Sequence, residues 1–410
     1  MKSLKKIITL TLIITIALST VFAASPTPTP DTDVAYNMVD RPYRKTSARM
    51  LSMGGAGIAL RSNQDALYVN PASLGEKGLV WNMPNVATTI YNARELIATG
   101  IIDNYQNIAS EPGKYAETIL GIFGKAGNNK IATVDAGVGA KWGRFAFGVD
   151  TQVNLNTYTP STSAIDVAVI PQVDVVLSTG LGLRFMRDSK INFDIGAAVR
   201  LNARGYYEKL DANYVLSNLN NMNEILKKLQ ETQPMVFLYS MPIDFGFNLN
   251  LPAGMTLSTV VRNINGSFKG DVTTLKNASS EAEKLIKSDK IKLDCPMSVD
   301  FGFGWKPYWG LSWLANPNIA VDVVDVVGLT KEFSTTNLLA HMRAGIEVEI
   351  LKLLELRAGL NQGYVSIGAG FNLMNIIHLE ASYYRLEFGE KLLDKPVDAL
   401  TVRMNIFWER

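Results

Sequence analysis

The chain has 410 residues, 47% of them hydrophobic, with 40 basic against 38 acidic side chains for a formal net charge of +2, and a mean hydropathy of +0.08. Its single cysteine, Cys295, excludes an intramolecular disulfide framework, and charges of both signs spread without long runs offer nothing to nucleic acid. Beyond the N-terminal segment no apolar run approaches the ~20 residues of a helical membrane span, which excludes a helical membrane protein.

The first element is a leader. Lys2, Lys5 and Lys6 precede an apolar run from Ile7 to Phe22, and Val21-Phe22-Ala23 is a cleavage context, so residues 1–23 read as a signal peptide cut after Ala23. Residues 24–48, opening Ala24-Ser25-Pro26-Thr27-Pro28-Thr29-Pro30, read as a stiff linker and N-terminal arm. Residues 49–78 carry Met53-Gly54-Gly55-Ala56-Gly57, then Asp65-Ala66 and Asn70-Pro71-Ala72. The glycines permit close backbone approach, and Asn70-Pro71 makes a defined bend, because Asn bonds neighbouring amides while Pro fixes φ. The spacing of Gly54, Gly55 and Gly57 matches neither a dinucleotide fingerprint nor a nucleotide-binding P-loop, so no cofactor is expected from it.

From residue 79 onward, apolar and polar residues alternate with period two, as in a sheet with one apolar face. Ile243 to Leu251, Val299 to Trp305 and Ile346 to Ile350 show the rule, with Asp, Asn, Gly and Glu interleaved. The pattern predicts about fourteen strands, at 79–91, 132–140, 143–155, 165–185, 190–206, 235–250, 254–265, 295–305, 317–327, 340–350, 353–361, 363–373, 376–388 and 398–408. Most reach the roughly nine to eleven residues that a tilted strand needs to cross a bilayer, whereas soluble strands run about five or six. Alternation by itself fits a soluble sandwich equally well; length favours the barrel.

The connections support a barrel too. Even ones are short, at Gly143, Arg187-Asp188-Ser189, Pro252-Ala253, Lys352 and Met374-Asn375, with only 306–317 longer; the long ones, at 92–131, 207–234, 266–294, 328–339 and 389–397, are all odd. Within them, Glu224 to Leu229 and Glu281 to Ile286 have helical spacing. Trp142, Trp305, Trp309, Trp313, Tyr383, Tyr384 and Trp408 fall near strand ends, where an interfacial girdle would lie. His341 and His378 lack neighbouring ligands at metal spacing, and Asp322 and Asp325, on one strand with opposite parity, make no acid/base pair; neither a metal site nor an enzyme is expected. Strand irregularities at Pro242 and Gly246, or at Gly302 and Gly304, are where a lateral gate would sit, although packing explains such glycines equally.

The run Met53-Gly54-Gly55-Ala56-Gly57, Asp65-Ala66 and Asn70-Pro71-Ala72 ahead of a β-rich remainder resembles the FadL-type outer-membrane transport superfamily, including PorV-like and TraF-like proteins. The resemblance in letters is confined to about residues 49–74. It implies an all-β, transmembrane antiparallel barrel over 79–410 with helical extracellular loops, plugged by an N-terminal hatch over 49–78 in which Gly54, Gly55, Gly57, Asn70, Pro71 and Ala72 form the motif. It implies an outer-membrane location, with membrane lipid and the outer-membrane assembly machinery as partners, and uptake of a hydrophobic small molecule of the long-chain fatty-acid kind. The alternative within the superfamily is a barrel that docks a secreted or surface protein through its long loops. The chain ends Phe407-Trp408-Glu409-Arg410, two charges beyond the terminal aromatic that assembly machinery recognises.

Overall fold

The computed structural model describes residues 41–409 except 62–64, 77, 102, 104–111, 161–166, 208–209, 212–233, 279, 309–313, 332, 375 and 390–391. Its eighteen hydrogen-bonded segments form fourteen wall strands, because three strands are interrupted and Leu210–Asp211 is only a short pairing beside the fourth. These are β1 (Leu79–Tyr91), β2 (Gly127–Trp142), β3 (Phe145–Thr159), β4 (Ala168–Phe185), β5 (Asn192–Tyr206), β6 (Pro234–Ser240 with Ile243–Asn250), β7 (Met255–Ile264 with Phe268–Thr274), β8 (Ile291–Leu293 with Ser298–Trp305), β9 (Ala315–Val323), β10 (Met342–Ile350), β11 (Leu354–Asn361), β12 (Tyr364–Leu373), β13 (Ile377–Glu387) and β14 (Pro396–Glu409). Every neighbour pair is antiparallel, and β1 closes the ring on β14, from Val80 opposite Glu409 to Tyr91 opposite Ala399. Closure leaves no free sheet edge, so wall amides and carbonyls find partners inside the sheet.

The two faces have opposite chemistry. Leu177, Ile195, Phe247, Leu257, Phe301, Ile346, Leu356, Ile367, Leu379 and Met404 are exposed outside, while Asp174, Asp194, Asn248, Ser258, Asp300, Glu347, Arg357, Ser366, Glu380 and Arg403 are buried within. In water this arrangement would leave a wide apolar belt unsheltered; in a bilayer it places carbon against lipid and the polar set in the lumen. The outer belt ends in aromatics at the short-turn rim. Phe185 stacks on Phe193 with centroids 5.0 Å apart, Phe193 meets Phe247 at 6.1 Å, and Trp81, Trp142 and Trp305 are exposed nearby.

Short turns and long loops take opposite ends. Turns of one to a few residues use left-handed backbone at Gly143, Met186, Ala253, Leu351, Lys352 and Met374. At the loop end, short helices fold against the outside of the strand tips: Ala93–Ala98 and Pro112–Phe123 pack around Ile90, and Leu285 of Ala282–Lys287 is buried. The helix expected over 281–286 thus forms; the one expected over 224–229 lies outside the described residues.

Four expectations change. The connection expected over 266–294 carries strand at Phe268–Thr274 and Ile291–Leu293, because the two segments pair with each other and continue the wall past the interruption. The ninth strand stops at Val323 rather than 327, because Asp325 takes a left-handed φ of 50° and its carboxylate accepts from Gly328 N at 3.1 Å at the start of Val326–Lys331. Tyr384 belongs to no girdle: it is 2% exposed and faces the lumen, where its hydroxyl lies 3.2 Å from that of Thr401. The plug begins before residue 49, since arm residues already bond to the inner wall, as described next.

Candidate functional site

Residues 41–61 and 65–75 run through the lumen between the loop end and the turn end, and buried charges hold them there. Arg204 of β5 donates to the carbonyl of Arg41 at 2.9 Å, Gln152 of β3 donates to that of Arg44 at 3.0 Å, and Thr46 N donates to Asp135 of β2 at 3.1 Å. Ser47 caps the short helix Ala48–Ser52, accepting from Met50 N. Arg49 pairs with Glu347 at 2.6 Å, Asp65 takes both arms of Arg403 at 2.8 and 2.9 Å, and Asp150 meets both Lys45 and Tyr68. Arg262 of β7, paired with Asp300 at 2.6 Å, also donates to the carbonyls of Tyr68 and Val69. On one wall the charges run continuously from Asp65 through Arg403, Glu380, Arg357 and Glu347 to Arg49.

The motif residues lie in this plug. Gly54 and Gly55 adopt φ of +69° and +84°, a turn in which a side chain would be strained, and Gly57 N and Ile58 N donate to Asp322 of β9 at 2.6 and 3.0 Å. Asn70 caps the 3-10 turn Pro71–Gly75: its oxygen accepts from Ala72 N at 3.0 Å, while its amide donates to the Ile58 carbonyl at 2.9 Å and to Asn248 of β6 at 2.7 Å. It therefore ties two plug segments to each other and to the wall.

The wall answers with glycine. A Cβ on Gly196 would strike the Pro71 carbonyl, one on Gly246 the Asn70 side chain, and one on Gly304 the Ala59 carbonyl; on Gly345 and Gly359 it would meet Met53. Gly246, Gly302 and Gly304 are thus seats for the plug, because each allows plug atoms to reach van der Waals contact with a strand. At the turn end a small polar cavity lies between Arg61, Ser73 and Glu76 of the plug and Arg184, Asp194, Asn248, Asn250 and Thr256 of the wall.

In its loop-side half, beside the first residues of the plug, the lumen changes character. Ile170, Tyr206, Val236, Leu238, Phe268, Leu293 and Cys295, from β4 to β8, form a buried apolar cluster on the inner face of the loop-side half. A second one joins Tyr91, Tyr384, Phe388, Val397 and Ala399 across β1, β13 and β14. Arg204, paired with Asp174 at 2.6 Å, lies over the Phe268 ring at 4.2 Å. Arg44 is enclosed by the barrel yet open to solvent, near enough to Arg41, Asp300, Arg262 and Cys295 for their charges to act on it. Among the described residues no carboxylate forms an ion pair with it.

The wall beside the first cluster is incomplete. Pairing of β7 with β8 runs from Trp305 opposite Met255 to Ser298 opposite Arg262, then resumes only at Leu293 opposite Phe268. Asn263 and Asn265 take left-handed φ of 58° and 57° in the gap, and β6 is interrupted at Met241-Pro242. The buried Cys295 lies in this gap. At the mouth, Lys395, outside the strands, donates to the carbonyls of Lys125 and Ala126 at 3.0 and 2.7 Å, joining two loops. Burial first, and Lys125 second, lower its pKa to about 8.

Ile170 shares strand parity with Gln172 and Asp174, so its place on their face was legible from alternation, and ring closure turns that face inward. The roles of Arg49 and Asp65 were not, because their partners lie in strands up to 338 residues away.

The fold and site define a membrane-spanning β-barrel of fourteen strands with its own N-terminal segment lodged in the lumen. No family model and no curated protein matches the sequence. Among solved structures the chain is similar to the Pseudomonas putida toluene transporter TodX, at 11% identity and a TM-score of 0.44 over 90% of this chain and 98% of that one. It is similar also to a Pseudomonas aeruginosa FadL homologue, at 12% and 0.44 over 90% and 99%, and to the CymD monoaromatic hydrocarbon channel, at 10% and 0.43 over 92% and 98%. At such low identity and score the likeness is distant.

Proposed function

We propose that this protein is exported by its leader, resides in the bacterial outer membrane and takes up hydrophobic small molecules. The observation that carries the reading is the position of the apolar cluster around Phe268: it lines the loop-side half of the lumen, beside the point where the plug enters at Arg41. An apolar molecule leaving water for such a surface gains roughly 25 cal/mol per Å² buried, enough for binding without any covalent step. The solvent-open guanidinium of Arg44 beside the cluster suits a ligand with one anionic end, such as a long-chain carboxylate, because an unpaired cation in an enclosed site attracts an anion strongly. With the plug clamped by buried ion pairs, release sideways through the interrupted β7–β8 pairing is the shorter way out.

The test is uptake of a labelled long-chain carboxylate by cells producing the barrel, against cells producing Phe268→Glu and Arg44→Gln. Loss of uptake in the first and a raised half-saturation concentration for the acid, but not for a neutral alkane, in the second are expected. Uptake by the parent no faster than by cells without the barrel would overturn the proposal, provided the protein folds.

A further inference from the structure

Cations at the two ends of the barrel are treated differently. At the loop end several have carboxylate partners, Lys125 with Glu95, Lys287 with Glu283, Lys290 with Asp271 and Lys292 with Asp294, and acidic side chains are interspersed with the lysines that have none. At the turn end Arg144, Arg187, Lys190, Lys306 and Lys352 form no ion pair among the described residues, and the acidic side chain in those turns is Asp188. Apolar side chains stand beside them in the open: Trp142 is 82% exposed, Met186 59%, Tyr308 74% and Leu351 56%.

The sequence order sets the heights. Met186 precedes Arg187 and Leu351 precedes Lys352, and both pairs lie on left-handed turns just past strands whose outward residues, Phe185 and Ile350, continue the apolar belt. The cations therefore sit one or two residues beyond the level at which the apolar belt and its tryptophans end. A surface that is apolar up to a sharp level and carries unbalanced positive charge directly above it complements a bilayer whose headgroup layer bears phosphate anions. Water is a poorer fit, since Trp142, Met186 and Leu351 would stay exposed.

We infer that the turn-end rim is a binding surface for anionic phospholipid headgroups, held by Arg187, Lys190, Lys306 and Lys352 with Trp142 and Tyr308 alongside. It is independent of what the lumen carries, because none of these residues touches the plug or the apolar cluster. Lipid phosphate is preferred to a soluble phosphate or an acidic protein because the cations ring the rim in separate turns rather than converging on one point. Each meets its own headgroup.

The tryptophans make the test direct. The full-length mature protein is reconstituted in mixed vesicles containing either brominated phosphatidylglycerol or brominated phosphatidylcholine, and quenching of tryptophan fluorescence gives the relative affinity of the two lipids at the rim. The parent should favour phosphatidylglycerol, and Arg187→Gln/Lys190→Gln/Lys352→Gln should lower that preference by on the order of a hundredfold at low salt. The loop-end variant Lys284→Gln/Lys287→Gln/Lys290→Gln should keep the parent value. Equal quenching by both lipids in the parent, or a preference unchanged in the turn-end variant, would overturn the inference. Removal of the preference by millimolar inorganic phosphate at constant ionic strength would overturn it too, since it would reveal a site for the free anion. All substitutions lie at exposed positions outside the wall strands, and a retained mobility shift on boiling identifies the folded barrel; Arg187→Gln alone serves where the triple variant does not fold.

Discussion

Arg403 shows most clearly how single residues hold this molecule together. It is 1% exposed, grips Asp65 with two hydrogen bonds and reaches Asn85 at 2.9 Å, so the plug and the last strand share one buried charge pair. Breaking such a pair from one side leaves an uncompensated buried charge, at a cost of about 3–5 kcal/mol. Arg403→Met should therefore lower the unfolding temperature of the detergent-solubilised barrel far more than Asp65→Asn with Arg403→Met together; equal losses would show that the pair is not coupled. Asn70 acts by neutral bonds. Asn70→Ala removes a cap and two further hydrogen bonds, and should cost about 2–3 kcal/mol while leaving the wall intact, read as increased hydrogen exchange confined to residues 56–75.

Elements decide what can move. The plug is bonded to many strands, whereas the β7–β8 seam lacks pairing over several residues, so the seam is the wall's weakest line. Ser267 Oγ and Asp294 Oδ1 are 3.3 Å apart across it. In a Cys295→Ala background, Ser267→Cys/Asp294→Cys should close a disulfide on oxidation, block uptake and restore it on reduction; undiminished uptake by the oxidised form would exclude release through this seam. Loops offer a pH handle. Lys395 has a folded pKa near 8, below its value in an unfolded chain, so the contact it makes is most stable above about pH 10.5 and weakens as pH falls through about 8. Protease cleavage of the 388–396 loop should then slow between pH 8 and 10 relative to Lys395→Met, in which the difference should vanish.

The whole molecule is organised by inversion: apolar outside, ionic within, and a backbone plug seated on wall glycines. Filling one seat tests that organisation. Gly196→Val places side-chain carbon where the Pro71 carbonyl now lies, so it should displace the plug and raise ion conductance in planar bilayers while the mobility shift on boiling persists. Unchanged conductance would mean that the plug does not seal the lumen. The outcome separates plug from wall, because wall pairing on both sides of Gly196 involves backbone only.

Much of this architecture was legible before any coordinates. Period-two alternation is a local property, so the fourteen strands, the parity of short and long connections and the shared face of polar residues such as Asp174 and Glu347 follow from the sequence, while the inward direction of that face is decided by closure of the ring. The strand ends that differ do so where a left-handed residue or a paired loop extends or stops a ladder, as at Asp325. The plug's start at the arm, the seats at Gly196, Gly246 and Gly304, and the gap between β7 and β8 belong to the tertiary structure. Each depends on which distant strand meets a given segment across the lumen, and on registers that a one-residue slip would invert. Local pattern determined which face every residue takes; closure of the ring decided what each inward residue meets.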